Sequence, residues 1–356
     1  MKKYLVIITT IFFGFAVNAQ ESNMRLSLQE AIDFAIENSY NIKVAKKDIE
    51  SAKQQKWETT TIGLPQIEGT VDYQNFLKQQ VTLFDTNGDG INEEFTFGTK
   101  QNINAAVTLR QLIFDGSYLV GLQSARTFLK ISEQAKEKTE LLTREAVINA
   151  YGNVLISEKS IGILENNKKT LEKNLSDAKK IFENGLNEEE DVEQLEITLG
   201  NVQSQLNSVK RLKGIAYQML NITLGNDITT QLTLTDSLDS LTESNINFEL
   251  MSQSFNLNNH IDFKIAQNDR ESKRLLMRYE QSQALPSLSA FVNYGSQANS
   301  DDFSFFNSNQ RWFNYSLLGV SLKVPLFSSL KRKSKTQRAK INLEIADIRL
   351  KETQEK

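Results

Sequence analysis

The sequence predicts a mainly α-helical protein with membrane β-structure, in which long coiled-coil hairpins accompany four amphipathic strands in an internal two-fold repeat. Three observations predict this fold class. A helix–strand–strand–helix block occurs twice, and residues 64–67 (LPQI) return as residues 285–288 (LPSL). Four short segments alternate apolar and polar residues, as half-buried strands do. Heptads of apolar residues stand on both sides of Asn184 and Gly185.

Residues 1–19 predict a secretory signal peptide. Lys2 and Lys3 precede an apolar run over residues 4–17, and Ala19 offers a small residue before the cleavage point. We then predict a first repeat over residues 20–225, a linker over 226–246 and a second repeat over 247–356.

The composition excludes several functions. The 41 basic and 44 acidic residues nearly balance, which argues against nucleic acid as a partner. The single histidine argues against a histidine-based triad or metal site, and no phosphate loop or nucleophile elbow occurs. We therefore expect neither an enzyme nor a cofactor, and the lack of cysteine excludes disulfides.

The first element is predicted to be one helix from Leu28 to about Thr60. Alanine and isoleucine recur there at helical spacing, and Ser27 with Glu30 forms a capping-box pattern. Proline ends helices, and all three prolines are predicted to stand at helix–strand junctions: Pro65, Pro286 and Pro325.

Two strand pairs follow, one in each repeat. Their apolar faces are predicted to contact lipid through Ile67, Val71, Tyr73, Val107, Leu109, Leu288, Val292, Tyr294, Val320 and Leu322. An antiparallel sheet over a soluble core fits the alternation equally well. The signal peptide and the neighbouring helices favour the membrane. An interfacial aromatic girdle and an ordinary hydrophobic core explain equally well the aromatic residues near the predicted strands, which are Trp57, Trp312, Phe303, Phe305, Phe306 and Phe313.

A long helix is predicted from about Ser117 to Glu183, which would extend roughly 100 Å. The chain turns at Gly185, and the return helix carries a heptad seam of Val192, Leu195, Leu199, Val202, Leu206, Val209, Lys213, Ala216 and Leu220. Two seams joined by a short turn predict an antiparallel coiled-coil hairpin.

This arrangement resembles the outer membrane efflux protein family, the TolC-like exit ducts of Gram-negative bacteria. The resemblance covers nearly all of residues 26–356. It depends on the duplication, on the first-helix motif at residues 28–32 (LQEAI) and on the junction motifs, which are LP at 64–65 and 285–286, LIFDG at 112–116 and VPLF at 324–327.

The resemblance implies a homotrimer in which each chain gives four strands to a twelve-stranded outer-membrane β-barrel. Four strands are too few to close a membrane barrel alone, which agrees with sharing between chains. The helices would continue the duct into the periplasm. The expected partners are outer-membrane lipid, a periplasmic adaptor (membrane fusion) protein and an inner-membrane pump, in efflux or type I secretion.

The hairpin tip resembles the family's Gly-Leu-x-x-x-x-Asp-Val motif, where the adaptor is thought to dock. It contains Gly185, Leu186, Asp191 and Val192, and Asp191 is expected to cap the return helix. An ordinary helix–helix turn explains these residues equally well. The chain stops at Lys356, so we expect a C-terminally incomplete second repeat, without its hairpin tip and the gate associated with it.

Two other functions stay open at this point. A periplasmic coiled-coil adaptor or scaffold would also contain a helical hairpin, and a truncated duct would not conduct. A weak calcium-loop pattern at Asp85, Asn87 and Asp89 is better explained as a polar hairpin turn, because position twelve is Thr96 and no helix flanks the loop.

Overall fold

The structure, a computed structural model, describes residues 24–85, 88, 90, 92–186, 188–244 and 256–356. The predicted signal peptide lies outside these residues. The helices are α1 (Leu28–Asn38), α2 (Tyr40–Thr61), α3 (Gly116–Glu183), α4 (Glu189–Leu224), α5 (Leu238–Ser244), α6 (Ile261–Ser282) and α7 (Lys331–Glu355). The strands are β1 (Met24–Leu26), β2 (Gln66–Asn75), β3 (Val81–Phe84), β4 (Glu93–Thr96), β5 (Gln101–Asp115), β6 (Leu232–Leu234), β7 (Ser287–Ser300) and β8 (Phe313–Lys323).

The chain forms two compact units, and the first comprises Met1–Val44 and Thr139–Ser254. Strands β1 and β6 pair in parallel here, so the predicted linker over residues 226–246 contains both a strand and helix α5. Apolar side chains from α1, α3, α4 and the two strands pack into one core, which consists of Leu26, Ala31, Ile32, Ala35, Val147, Tyr151, Val154, Leu155, Leu220, Leu224 and Leu232.

The prediction of one continuous helix over residues 28–60 is wrong at Ser39. This residue has extended backbone angles (φ −59°, ψ 144°) and separates α1 from α2. Its side chain accepts a hydrogen bond from the Ile42 amide (3.4 Å), while the Asn38 side chain bonds back to the Phe34 carbonyl oxygen (3.1 Å). The predicted capping box of Ser27 and Glu30 is present at the start of α1.

The predicted antiparallel pairing of α3 and α4 is present in the first unit. Every predicted seam position of α4 is buried or half-buried. Three ion pairs cross between the helices with the ordering that an antiparallel pair requires, namely Glu158–Lys213 (2.9 Å), Glu165–Lys210 (2.8 Å) and Lys179–Glu196 (2.6 Å). These pairs are exposed or only half-buried, so the apolar seam supplies most of the stabilisation.

The second unit comprises Ala45–Lys138 and Phe255–Lys356 and contains an antiparallel sheet of order β2-β5-β7-β8. Helix, strand, strand and helix follow one another twice along the chain, as α2-β2-β5-α3 and as α6-β7-β8-α7. A small hairpin of β3 and β4 lies between β2 and β5, within the loop predicted from the sequence. The duplication of the sequence therefore has a counterpart in element order, and the two-fold repeat itself stays a prediction.

The three prolines stand where the sequence predicts, each between a helix and a strand. Pro65 separates α2 from β2, Pro286 separates α6 from β7, and Pro325 follows β8.

Helix α6 contacts α3 through a buried hydrogen bond from Asn268 to Gln134 (2.9 Å). Within the described part of the chain, no helix is both long enough and apolar enough to cross a membrane.

Candidate functional site

The four-stranded sheet has two chemically different faces. Directly opposed residues of antiparallel strands share a face, and the register opposes Ile67 to Leu109, Val107 to Tyr294 and Leu288 to Leu322. Because side chains alternate along each strand, the same face holds all ten residues that the sequence predicts as lipid-facing. One irregularity between Leu112 and Phe114 shifts the register near the end of β5.

This apolar face is open. Ile67 and Val71 are each 70% exposed, and Val107, Tyr294, Val320 and Leu322 are exposed as well. Leu109 and Leu288 are half-buried between their neighbours. A sheet that covers a soluble core would bury these side chains, so a continuous exposed apolar face indicates contact with lipid or with another chain.

The opposite face carries polar and charged groups. Glu68, Thr108 and Asn293 lie in one row across three strands, and the Asn293 amide donates to the Thr108 hydroxyl (2.6 Å). Asp72 and Arg110 also lie on this face. The same face holds two aromatic residues, Phe291 and Tyr315, that sequence reasoning missed. The sequence signal available for them was a glycine inside each strand, Gly295 in β7 and Gly319 in β8.

Part of the predicted aromatic girdle is brought together at one end of the apolar face. Tyr73 contacts Phe303 and Phe305 edge to face, with ring centroids 5.8 and 6.0 Å apart, and Phe306 packs against Phe303. Phe313 instead lies on the polar face beneath the Arg311 guanidinium. Trp57 lies on α2, away from this cluster, and Trp312 immediately precedes β8.

A close contact fixes the junction between α2 and β2. The Tyr118 hydroxyl donates to the Thr60 carbonyl oxygen (3.1 Å), and its ring occupies the space that a side chain at Gly63 would need. Gln111 donates to the carbonyl oxygen of Gly63 (2.8 Å). The junction therefore holds β2 and the start of α3 in one arrangement.

The hairpin tip is a glycine-ended helix terminus. Gly185 has φ +72°, its amide donates to Phe182 (2.8 Å), and the Leu186 amide donates to Ile181 (3.1 Å). This pair of bonds is the Schellman motif, which satisfies the last carbonyl groups of α3. Leu186 is 80% exposed, whereas Val192 is buried. Asn187 lies outside the described residues.

The predicted capping role of Asp191 is wrong. Glu188 is the N-cap residue of α4, and its side chain makes no capping bond. Asp191 lies in the first turn with Glu189 and Glu190. Helix α4 starts earlier than predicted because glutamates are good helix formers and their charge is favourable at a helix N-terminus.

The candidate calcium loop is a turn where the structure describes it. The Asp85 carboxylate accepts hydrogen bonds from the amides of Gly88 (2.7 Å) and Gly90 (3.0 Å). Asn87 and Asp89 lie outside the described residues. Among the residues that are described, no cluster of acidic or histidine side chains has the spacing of a metal site.

Several solved structures are similar to this chain. The outer membrane protein VceC from Vibrio cholerae has 15% identity and a TM-score of 0.66, with 92% of this chain and 75% of that chain covered. The CmeC outer membrane channel of Campylobacter jejuni has 19% identity and a TM-score of 0.66, with 92% and 67% covered. The open-state MtrE outer membrane channel of Neisseria gonorrhoeae has 15% identity and a TM-score of 0.64, with 92% and 69% covered.

These identities are low, so the similarity shows the fold alone. A comparison with curated proteins finds no match. The family model described as outer membrane efflux protein matches residues 31–226, which is more than half of the chain. The chain therefore belongs to the outer membrane efflux protein family, whose members are outer-membrane channels of Gram-negative bacteria with periplasmic helices and are not enzymes.

Proposed function

We propose that this chain is one protomer of a passive exit duct. Three copies would stand side by side, and each would give its four strands to a twelve-stranded barrel in the outer membrane. A periplasmic adaptor and an inner-membrane pump would supply cargo and energy, in efflux or in type I secretion. The observation that carries this proposal is the two-faced sheet, apolar and exposed on one side and polar on the other.

The edges of the sheet support sharing between copies. Strands β2 and β8 form its two edges, with 10 and 11 residues. Long edge strands present unpaired backbone groups, which are costly in a hydrocarbon environment. Four strands are too few to enclose a lumen, since even the smallest membrane barrels have about eight. Pairing β2 of one copy with β8 of the next would satisfy both edges and close the barrel.

The polar face supports a water-filled passage. In a closed barrel the apolar face contacts lipid and the other face lines the lumen. Glu68, Asp72 and Arg110 would then stand in water, where their charges need no buried partner. Transport along such a wall is diffusion, so we assign it no catalytic residue.

The hairpin tip supports contact with another helical protein. Leu186 is an exposed apolar side chain at the turn, and the first turn of α4, which follows it in the chain, carries Glu189, Glu190 and Asp191. An apolar side chain close in sequence to charged groups suits a small docking interface with an apolar centre and a polar rim. We propose that the adaptor binds at this tip, formed by Gly185, Leu186, Asp191 and Val192. Leu186 would make the apolar contact, and Val192, which is buried, would support the turn from within.

The coiled-coil hairpin of α3 and α4 also fits the alternative, a periplasmic scaffold. A scaffold has no use for an exposed apolar sheet of four strands, and such a surface would aggregate in water. The duct accounts for both the hairpin and the sheet, so it is the preferred function.

Cell fractionation tests the proposed function. We expect the chain in the outer-membrane fraction as a trimer that dissociates only on heating, because intermolecular strand pairs are numerous and protected by lipid. Recovery of a monomer with the soluble periplasmic proteins would favour the scaffold and refute the duct.

A further inference from the structure

Two aromatic rings lie flat over glycines on the polar face of the sheet. Tyr315 of β8 is directly opposite Gly295 of β7, and Phe291 of β7 is directly opposite Gly319 of β8. A Cβ atom at Gly295 would come within 2.5 Å of Cζ and Oη of Tyr315, and one at Gly319 within 2.7 Å of Cε1 of Phe291. Each ring therefore occupies the space that a side chain on the opposite strand would fill. This arrangement covers the exposed glycine backbone.

A hydrogen bond holds the tyrosine ring along the sheet. The Tyr315 hydroxyl donates to the Asn104 side-chain oxygen (2.9 Å), and Asn104 belongs to β5, one strand beyond Gly295. The side chain thus crosses from β8 over β7 to β5. Gly295 is buried as a result, although the sheet around it is largely exposed. A ring fixed at both ends in this way cannot project from the sheet.

We propose that Gly295 and Gly319 set the width of the passage by keeping Tyr315 and Phe291 flat against its wall. This inference rests on the proposed function, which places the polar face of the sheet along the lumen. In a three-copy duct, each glycine–aromatic pair occurs three times at one level. The two glycines are then specificity-determining residues, because they decide how large a solute can pass that level.

The same geometry predicts the effect of an alanine at residue 295. The added methyl group at residue 295 takes the place of the ring edge, and the ring must rotate away from the wall because the strand backbone behind it is fixed by pairing on both sides. We expect the ring to turn away from the sheet, into the lumen. Gly69 of β2, on the apolar face opposite Val107, is a control for the glycine-to-alanine change itself, since a Cβ atom there meets nothing within 4 Å.

A single cysteine provides the readout, because the natural chain has none. Ser289→Cys lies on the polar face of β7, beyond both rings as seen from the loop that joins β7 to β8. In intact cells, its rate of reaction is measured with a small charged thiol reagent and with a bulky polymer-linked maleimide. Ala290→Cys, on the apolar face, reports on the orientation of the sheet.

We expect Gly295→Ala to slow the bulky reagent about tenfold relative to the small one, which corresponds to a barrier higher by about 1.4 kcal/mol. The Gly295→Ala, Tyr315→Ala double variant should restore the natural ratio of the two reagents' reaction rates, and Gly69→Ala should leave that ratio unchanged. An unchanged ratio in Gly295→Ala trimers would overturn the inference. If that variant does not assemble, Asn104→Ala decides instead, since it frees the ring without adding atoms and should also slow the bulky reagent.

The two cysteine variants distinguish failure of the proposed function from failure of the role of the glycines. If Ala290→Cys reacts with water-soluble reagents and Ser289→Cys does not, the polar face does not line the passage, and the proposed function falls together with this inference. If Ser289→Cys reacts normally and only the size dependence is missing, the duct stands and the role of the glycines is wrong.

Discussion

The Tyr151 hydroxyl lies 3.0 Å from the carbonyl oxygen of Leu26 and donates to it in the core of the first unit. The same hydroxyl lies 3.1 Å from the Asp236 carboxylate, which also accepts the amide of Leu28 (2.7 Å) at the start of α1. One tyrosine on α3 therefore connects strand β1 with the segment that follows β6. Within the described residues 226–244, the segment is thus tied to the core by this cluster as well as by strand pairing.

Tyr151→Phe should destabilise this unit. The ring stays in place and fills the same space, but the Leu26 carbonyl and the Asp236 carboxylate lose the single hydroxyl proton that they share, at a site where Tyr151 is fully buried. We expect a loss of about 1–3 kcal/mol in the free energy of unfolding, measured by denaturant titration of the helical signal. Tyr40→Phe is the control, since Tyr40 is exposed. Equal effects of the two substitutions would contradict this account of the cluster.

Tyr151 and Tyr217 should make the free energy of unfolding decrease at high pH. Burial raises the pKa of the Tyr151 hydroxyl, and burial together with the hydrogen bond to Glu158 raises the pKa of Tyr217. In the unfolded chain both ionise near pH 10, whereas the folded protein keeps their protons, so stability should fall as the pH rises above about 10. The denaturation midpoint of the natural protein should be lower at about pH 11 than at about pH 9. In the Tyr151→Phe, Tyr217→Phe double variant the two midpoints should be nearly equal. A midpoint drop that persists in the double variant would assign the effect to other groups.

The faces of the strands and the hairpin turn could be predicted because both depend on local rules. Alternation at period two places Val71 and Val107 on one face whatever their neighbours are. Gly185 ends α3 because its positive φ is open to glycine at little cost. These features need no knowledge of contacts distant in sequence.

The missed features depend on such distant contacts. Serine and asparagine occur within helices and at their ends, so the break at Ser39 becomes evident only with Gly225 packed against it. Strands β1 and β6 have three residues each, too few to show a period. To predict that Tyr315 covers Gly295, one must know the register between β7 and β8, which alternation alone does not fix.

Gly225→Ala should strongly destabilise the first unit. Gly225 has φ +84°, and an added Cβ atom would approach the Ser39 Cα atom to 2.9 Å and collide with the Asn38 carbonyl oxygen. Gly200→Ala is the matched control, because Gly200 lies inside α4 with open space around it. We expect Gly200→Ala to stabilise by up to about 1 kcal/mol through helix propensity, and Gly225→Ala to shift the unfolding midpoint the other way. A neutral Gly225→Ala variant would refute the close packing.

Leu186→Ala should weaken adaptor binding and leave folding unchanged. The side chain is exposed at the hairpin tip, so its removal costs little packing within the chain. Cross-linking to the adaptor in cells should fall, while trimer content stays constant. Ile197→Ala, also exposed but away from the tip on α4, should not affect cross-linking. If both variants cross-link like the natural protein, the tip is not the docking site.

Val71→Lys and Thr70→Lys compare the environments of the two faces of the sheet, because they place the same new side chain at adjacent positions on opposite faces. Val71 lies on the apolar face opposite Ala105, and Thr70 lies on the polar face opposite Ala106. A lysine that faces lipid near the middle of the membrane costs about 2–4 kcal/mol, whereas one that faces a water-filled lumen costs little. We therefore expect Val71→Lys to lower the yield of heat-stable trimer in the outer membrane and Thr70→Lys to assemble normally. The reverse pattern would place the polar face against lipid, which is incompatible with Glu68 and Arg110 on that face. Equal tolerance of both would mean that neither face contacts lipid, and the sheet would then have to pair with protein in the periplasm.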